Sequence, residues 1–212
     1  MIKLILQRAV PICKGAIFMN SNDFSADKYV REEIILGREN LFGFFVLTIT
    51  GLIFGIPYYF LWYENLEAVF NTDADIQTRA IGIGVTVIVL IIGFIAHEVI
   101  HGVFYAIFCK NKFKSVKIGV VPKKGYAYCE CKEILRTNQF AIGLLMPTII
   151  LGIIPSIASL FTGSFNLLLF GMIFTGAGGS DLLIFKKVAK NMNNTWFENA
   201  VSVSKWYLYK RA

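Results

Sequence analysis

Charge is scarce in this chain of 212 residues: only 17% are Asp, Glu, Lys or Arg, against 56% hydrophobic, with 19 Phe. A water-soluble core could not hide that much apolar surface, so a soluble enzyme is excluded first. Histidine is scarcer still, with His97 and His101 the only two, which excludes any site built on three imidazoles. No internal repeat, low-complexity tract or second soluble domain is visible. A cleavable signal peptide is not expected either, because Arg8 and Lys14 break the modest apolar run near the start.

What is present is long apolar runs. Four stretches reach the length needed to cross about 30 Å of hydrocarbon at about 1.5 Å per residue: 41–62, 80–109, 140–162 and 164–185. The expected fold is therefore an all-α polytopic membrane protein of about four transmembrane helices. Gly51, Gly55 and Pro57 predict a kink or close packing in the first span, and Pro147 with Pro155 a bend in the third. The third and fourth spans are joined only by Thr162-Gly163-Ser164, which predicts a tight antiparallel helical hairpin.

Lysine and arginine partition sharply: six lie before residue 41, one in 63–79, eight in 110–139 and six after 185. The positive-inside rule puts both termini and the 110–139 loop in the cytoplasm, and the acidic loop with Glu64, Glu67, Asp73 and Asp75 outside. Residues 1–40 form a cytoplasmic or interfacial segment, for which Ile34, Ile35 and Leu36 allow an interfacial helix; 41–185 form the membrane domain and 186–212 a cytoplasmic tail. Orientation accounts for the net charge of +7, leaving no argument for nucleic acid. Cys13, Cys109, Cys129 and Cys131 fall on the cytoplasmic side or its boundary, where disulfides are not expected. Cys129-x-Cys131 offers at most half of a closed metal site, and two small half-buried residues is the plainer reading.

The second span carries His97-Glu98-Val99-Ile100-His101. Residues four apart on a helix lie about 40° around the axis and about 6 Å along it, so both imidazoles can share one metal ion. Glu98 projects about 100° from His97 and can reach a water at the metal without being a ligand, the position of a general base. A carboxylate at membrane depth costs about 2.5–3.5 kcal/mol on insertion scales and needs a partner or a purpose. The competing reading, two histidines packed by hydrogen bonds, does not explain that carboxylate.

A hydrolytic zinc keeps three protein ligands and one open position. With no third histidine, Asp181 is the first choice, since it and Glu98 are the only carboxylates within the spans. Gly176-Ala177-Gly178-Gly179-Ser180 precedes it, the kind of close-packing, irregular backbone tolerated at depth only beside protein or a cavity. With straight helices ending together, His97 and Asp181 would differ in depth by about 12 Å; a broken fourth helix or an overhanging second one removes the gap. The alternative for Asp181 is an ion pair with Lys186 or Lys187, and Cys109, Glu130 and Glu133 are the fallback ligands. Leu90, Gly93, Phe94, Phe104 and Phe108 share the motif face and would wall the site with apolar groups, while Gly93 and Gly102 could admit a close neighbour.

Residues 114–131 read as a hairpin, with Val116, Ile118 and Val120 alternating with Ser115, Lys117 and Gly119 before a turn at Pro122-Lys123-Lys124-Gly125. It is the only convincing strand pair. A free strand edge would hold a peptide extended for attack; the alternative is an ornament resting on lipid headgroups.

Taken together, His97-Glu98-x-x-His101 in one span, a basic loop with a hairpin, a proline-bearing span and Gly179-Ser180-Asp181 in the next resemble the small zincin-like membrane peptidases of bacteria related to site-2 proteases. The resemblance covers most of residues 80–190. It implies peptide-bond hydrolysis within or next to the membrane, with one zinc ion on His97, His101 and Asp181 and with Glu98 as catalytic acid/base. It also implies a bacterial cytoplasmic membrane and a membrane protein or peptide as substrate, and leaves the oligomeric state open. Site-2 proteases usually place their aspartate in Asn-Pro-x-x-Asp-Gly or Leu-Asp-Gly and many carry a regulatory domain; here Leu182 follows Asp181 and no such domain is visible. Two rival readings are a small zinc carrier and a non-catalytic membrane interaction protein of the same fold.

Overall fold

The computed structural model describes residues 29–34, 39–70, 75–121, 126–190, 192, 195–200 and 205–211. Its apolar runs are helical, as they must be if the backbone is to satisfy its own hydrogen bonds away from water. The first is α1 (Glu39–Thr50) and α2 (Ile56–Leu61), joined by a π-helical stretch, Gly51–Gly55, that ends next to Pro57. A short α3 (Tyr63–Phe70) leads towards the 33-residue α4 (Ile76–Phe108). The third run comprises α5 (Thr137–Pro147) and α6 (Ile154–Thr162) around a second π-helical stretch, Thr148–Ile153. It stays one helix of 26 residues, absorbing both prolines by widening its turns. Helices α7 (Phe165–Ala177) and α8 (Gly179–Ala189) meet at 49°.

Three of these runs, or four if α7 and α8 count as one broken span, are long and apolar enough to cross a membrane. The tight α6–α7 hairpin is present: Gly163 caps α6 in the left-handed region (φ 69°) and Ser164 caps α7. The end of the first run ties it down, since Tyr58 Oη donates to Gly163 O at 2.6 Å and Trp62 Nε1 to Leu160 O at 2.9 Å.

The expected hairpin is there as β2 (Val116–Val121) and β3 (Tyr126–Cys131), paired antiparallel. Its turn, Pro122 to Gly125, lies outside the described residues, as do Cys13, Asp73, Ile35 and Leu36. The fold is not all-α beyond that hairpin, however. A second antiparallel sheet joins β1 (Tyr29–Ile34), β4 (Leu135–Arg136), β5 (Thr195–Ala200) and β6 (Lys205–Arg211) in the order β1-β6-β5-β4. Residues 29–34 are thus a strand where an interfacial helix was expected, and the tail contributes strands 195–200 and 205–211 after the end of α8. The physical reason is pairing over a shared core: Leu135, Phe197 and Leu208 are buried in it, and Ile34 and Trp206, opposite each other in β1 and β6, pack against it.

One apolar core sits beneath the motif end of α4. It joins Tyr105 and Cys109 to Cys129 and Cys131 of the hairpin, Phe140 and Leu144 of α5, Ile184 and Val188 of α8, and Phe197 and Leu208 of the sheet. A stack of rings runs through it: Tyr105 on Phe140 (centroids 5.2 Å, 4° apart), then Phe140 on Phe197 (3.9 Å, 18°).

Candidate metal centre

Helix α4 buries a narrow stripe of Gly93, His97, His101, Gly102, Tyr105 and Ala106. The spacing of four keeps 93, 97, 101 and 105 on one face, and Phe174 and Phe170 of α7 lie against Gly93, with the Phe94 and Phe174 rings 5.0 Å apart. Gly102 faces Val116, Ile118 and Cys129, so the hairpin lies back along the motif helix.

Asp181 comes to the same place from α8. The break after Ala177 removes the depth gap expected of straight helices, and it puts the carboxylate in the first turn of α8, where the helix dipole favours an anion. Close packing holds the break: a Cβ on Gly179 would lie 2.5 Å from Gly43 Cα, so only glycine lets α8 approach α1 this closely. Asp181 Oδ2 then stands 3.2 Å from His97 Nε2 and 3.4 Å from His101 Nε2. Its carboxylate turns to the two histidines, and the Lys186 and Lys187 side chains are exposed.

Two imidazoles and one carboxylate are the donor set of a catalytic zinc site with one position open. The spacing also fits. With bonds of about 2.0–2.1 Å, ligand atoms of a tetrahedral site are about 3.3–3.4 Å apart, and Asp181 Oδ2 lies at 3.2 and 3.4 Å from the two imidazole nitrogens. All three donors lie within 4.8 Å of one another.

The protonation of His101 supports the same reading. Its Nδ1 is 2.9 Å from Gly143 O, and a carbonyl can only accept, so Nδ1 carries the hydrogen. In the neutral ring the Nε2 lone pair then faces the Asp181 oxygen, and two acceptors face each other unless a cation, proton or metal, lies between. Tyr105 stacks on His101 (5.9 Å, 8°) and fixes the ring plane. His97 Nδ1 is buried with no hydrogen-bond partner among the described residues.

Glu98 is half-buried, and His101, His97 and Asp181 are the charges that act on it. The fallback ligands go elsewhere. Cys109 and Cys131 place their sulfurs 3.0 Å apart in the core. Burial pushes the Cys129 thiol up, and none of these thiols joins the His97, His101 and Asp181 group. Glu133 is buried in a clamp on the chain leaving α4. It accepts from Lys110 N (2.8 Å), Asn111 N (3.1 Å), Asn111 Nδ2 and Ser115 Oγ. Burial alone would raise its carboxyl, but these donors outweigh burial and hold it below the usual range.

A family model described as "Putative zincin peptidase" matches residues 90–196, half the chain. The chain belongs to this zincin family. The matched stretch of the zincin contains the histidine pair, Glu98, the hairpin, Asp181 and the start of β5. No curated protein and no solved structure matches the chain. Gly143 and Tyr105, which hold His101, were not among the sequence-level candidates: a backbone carbonyl has no side-chain signature, and a tyrosine one turn past the motif looks like core.

Proposed function

We propose that this zincin is a zinc-dependent, membrane-embedded endopeptidase that hydrolyses peptide bonds within or next to the bilayer. The observation that carries this reading is the convergence of Asp181 of α8 on His97 and His101 of α4, a helix apolar enough to span a membrane, with the three donors within 4.8 Å of one another. Bound there, zinc would supply Lewis acidity, polarising the scissile carbonyl and making water acidic enough to lose a proton near neutral pH.

The residues divide the remaining work. His97, His101 and Asp181 hold the ion; Glu98 accepts the proton of the attacking water and returns it to the leaving amine. Phe94, Phe170 and Phe174 wall the site above Gly93 and limit the entry of bulk water. The substrate must be extended at the scissile bond. Strand β3 is engaged along part of its length, where Asn199 Nδ2 donates to Cys129 O at 3.3 Å, so the edge of β2 is the place for a membrane peptide to lie.

The test uses Glu98→Gln in proteoliposomes with a panel of fluorogenic membrane-spanning peptides. Cleavage should fall by about 10²–10⁴-fold while zinc stays bound. Turnover equal to wild type in that variant would sink the assignment, and zinc moved across the vesicle without any cleavage would favour a carrier.

A further inference from the structure

Proline has no N–H, so Pro147 leaves the carbonyl four residues earlier, that of Gly143, without its helical donor. The next amide does not replace it, since Thr148 N–H bonds to Leu145 O. Gly143 O is taken instead by His101 Nδ1, 2.9 Å away on the neighbouring helix. Gly143 itself must be small, because a Cβ there would lie 2.5 Å from the Tyr105 ring that stacks on His101. A missing hydrogen bond in α5 has therefore become the hydrogen bond that orients a residue of α4.

We propose that Pro147 is a positioning residue for the metal centre: by withholding an N–H it frees the Gly143 carbonyl to hold His101 as the Nδ1–H tautomer, with Nε2 turned to Asp181 and the ion. The inference rests on the zinc-site reading of His97, His101 and Asp181. Partners that orient a ligating imidazole set both its tautomer and its basicity, and their loss typically weakens metal binding by about 10–100-fold. In Pro147→Ala the restored amide would compete for the Gly143 carbonyl and release the imidazole. Pro155, in the same span but at the start of α6 beyond the π-helical stretch, serves as the control.

The experiment uses the full chain in lipid nanodiscs with ¹⁵N-labelled histidine. Only two imidazoles are present, so His97→Ala assigns the signals. Nitrogen shifts in metal-free protein read the tautomer, and competition with a chelator reads zinc affinity. We expect wild type and Pro155→Ala to share one affinity and a proton on Nδ1 of His101. Pro147→Ala should bind zinc about 10–100-fold more weakly and lose the pure Nδ1–H signature. Unchanged affinity and tautomer in folded Pro147→Ala would overturn the proposal. So would a wild-type His101 with no proton on Nδ1, a result that needs no variant to fold. Wild type that binds no zinc at all would instead remove the metal centre, while the metal-free tautomer would still judge Pro147.

Discussion

The two halves of α4 belong to one apolar helix and have opposite environments. Before Gly93 not one residue of the helix is buried: Ile81, Ile83, Val85, Ile88, Ile91 and Ile92 are 55–67% exposed. From Gly93 onward one face is buried at a spacing of four, and that face is glycine, histidine and tyrosine. The first half packs on no other element through a buried residue, so side-chain identity matters little to its packing. The second half meets α5, α7, α8 and the hairpin, where shape and donors matter. One helix thus combines an exposed apolar half with a packed scaffold half.

The sharpest contrast is a pair of truncations. Tyr105→Ala removes a fully buried ring stacked between His101 and Phe140, and should cost about 3–5 kcal/mol of unfolding free energy. Ile88→Ala, 58% exposed in the first half, should change little. Chemical or thermal unfolding in one detergent reads both, and equal losses would erase the contrast.

Next comes the inward chain just past the helix. Glu133→Ala leaves the donors of Lys110, Asn111 and Ser115 unpaired and should cost about 1–3 kcal/mol. Because the folded carboxyl lies below its usual value, its contribution is fully present above about pH 4.3, the unfolded value. It is lost as the pH falls through the folded value. Stability measured from pH 7 down to 3 should drop for wild type, with that component missing from Glu133→Gln; superimposable acid limbs would refute the clamp.

The smallest effects compare glycines. A Cβ on Gly93 would meet Phe174 Cε2 at 2.7 Å, so Gly93→Ala must shift an aromatic ring and should cost about 1–3 kcal/mol. Gly84 has open space, and Gly84→Ala should be neutral or gain up to about 1 kcal/mol from helix propensity. Matching melting shifts of one sign in the two variants would show that the halves do not differ in packing.

The same contrast explains what could be read from the amino acids. Spans are legible because hydropathy alone marks them, and the histidine pair with Glu98 is legible because polar groups stand out at that depth. Asp181 is legible by elimination, yet its approach depends on the break at Gly178 and on Gly179 against Gly43, a contact between residues far apart in the chain. The four-stranded sheet is not legible: β1 pairs with β6, with Tyr29 opposite Arg211, and charged residues interrupt both strands. The buried stripe of α4 is equally silent, since in a helix that is apolar all round periodicity does not show which face is inside.

The most direct test of the centre is the zinc content of purified protein, wild type beside His97→Ala, His101→Ala and Asp181→Ala, each checked for folding. About one zinc per chain in wild type, lost from all three variants, is the result expected of a three-ligand site. Zinc retained at full occupancy in Asp181→Ala, or absent from folded wild type, would contradict it.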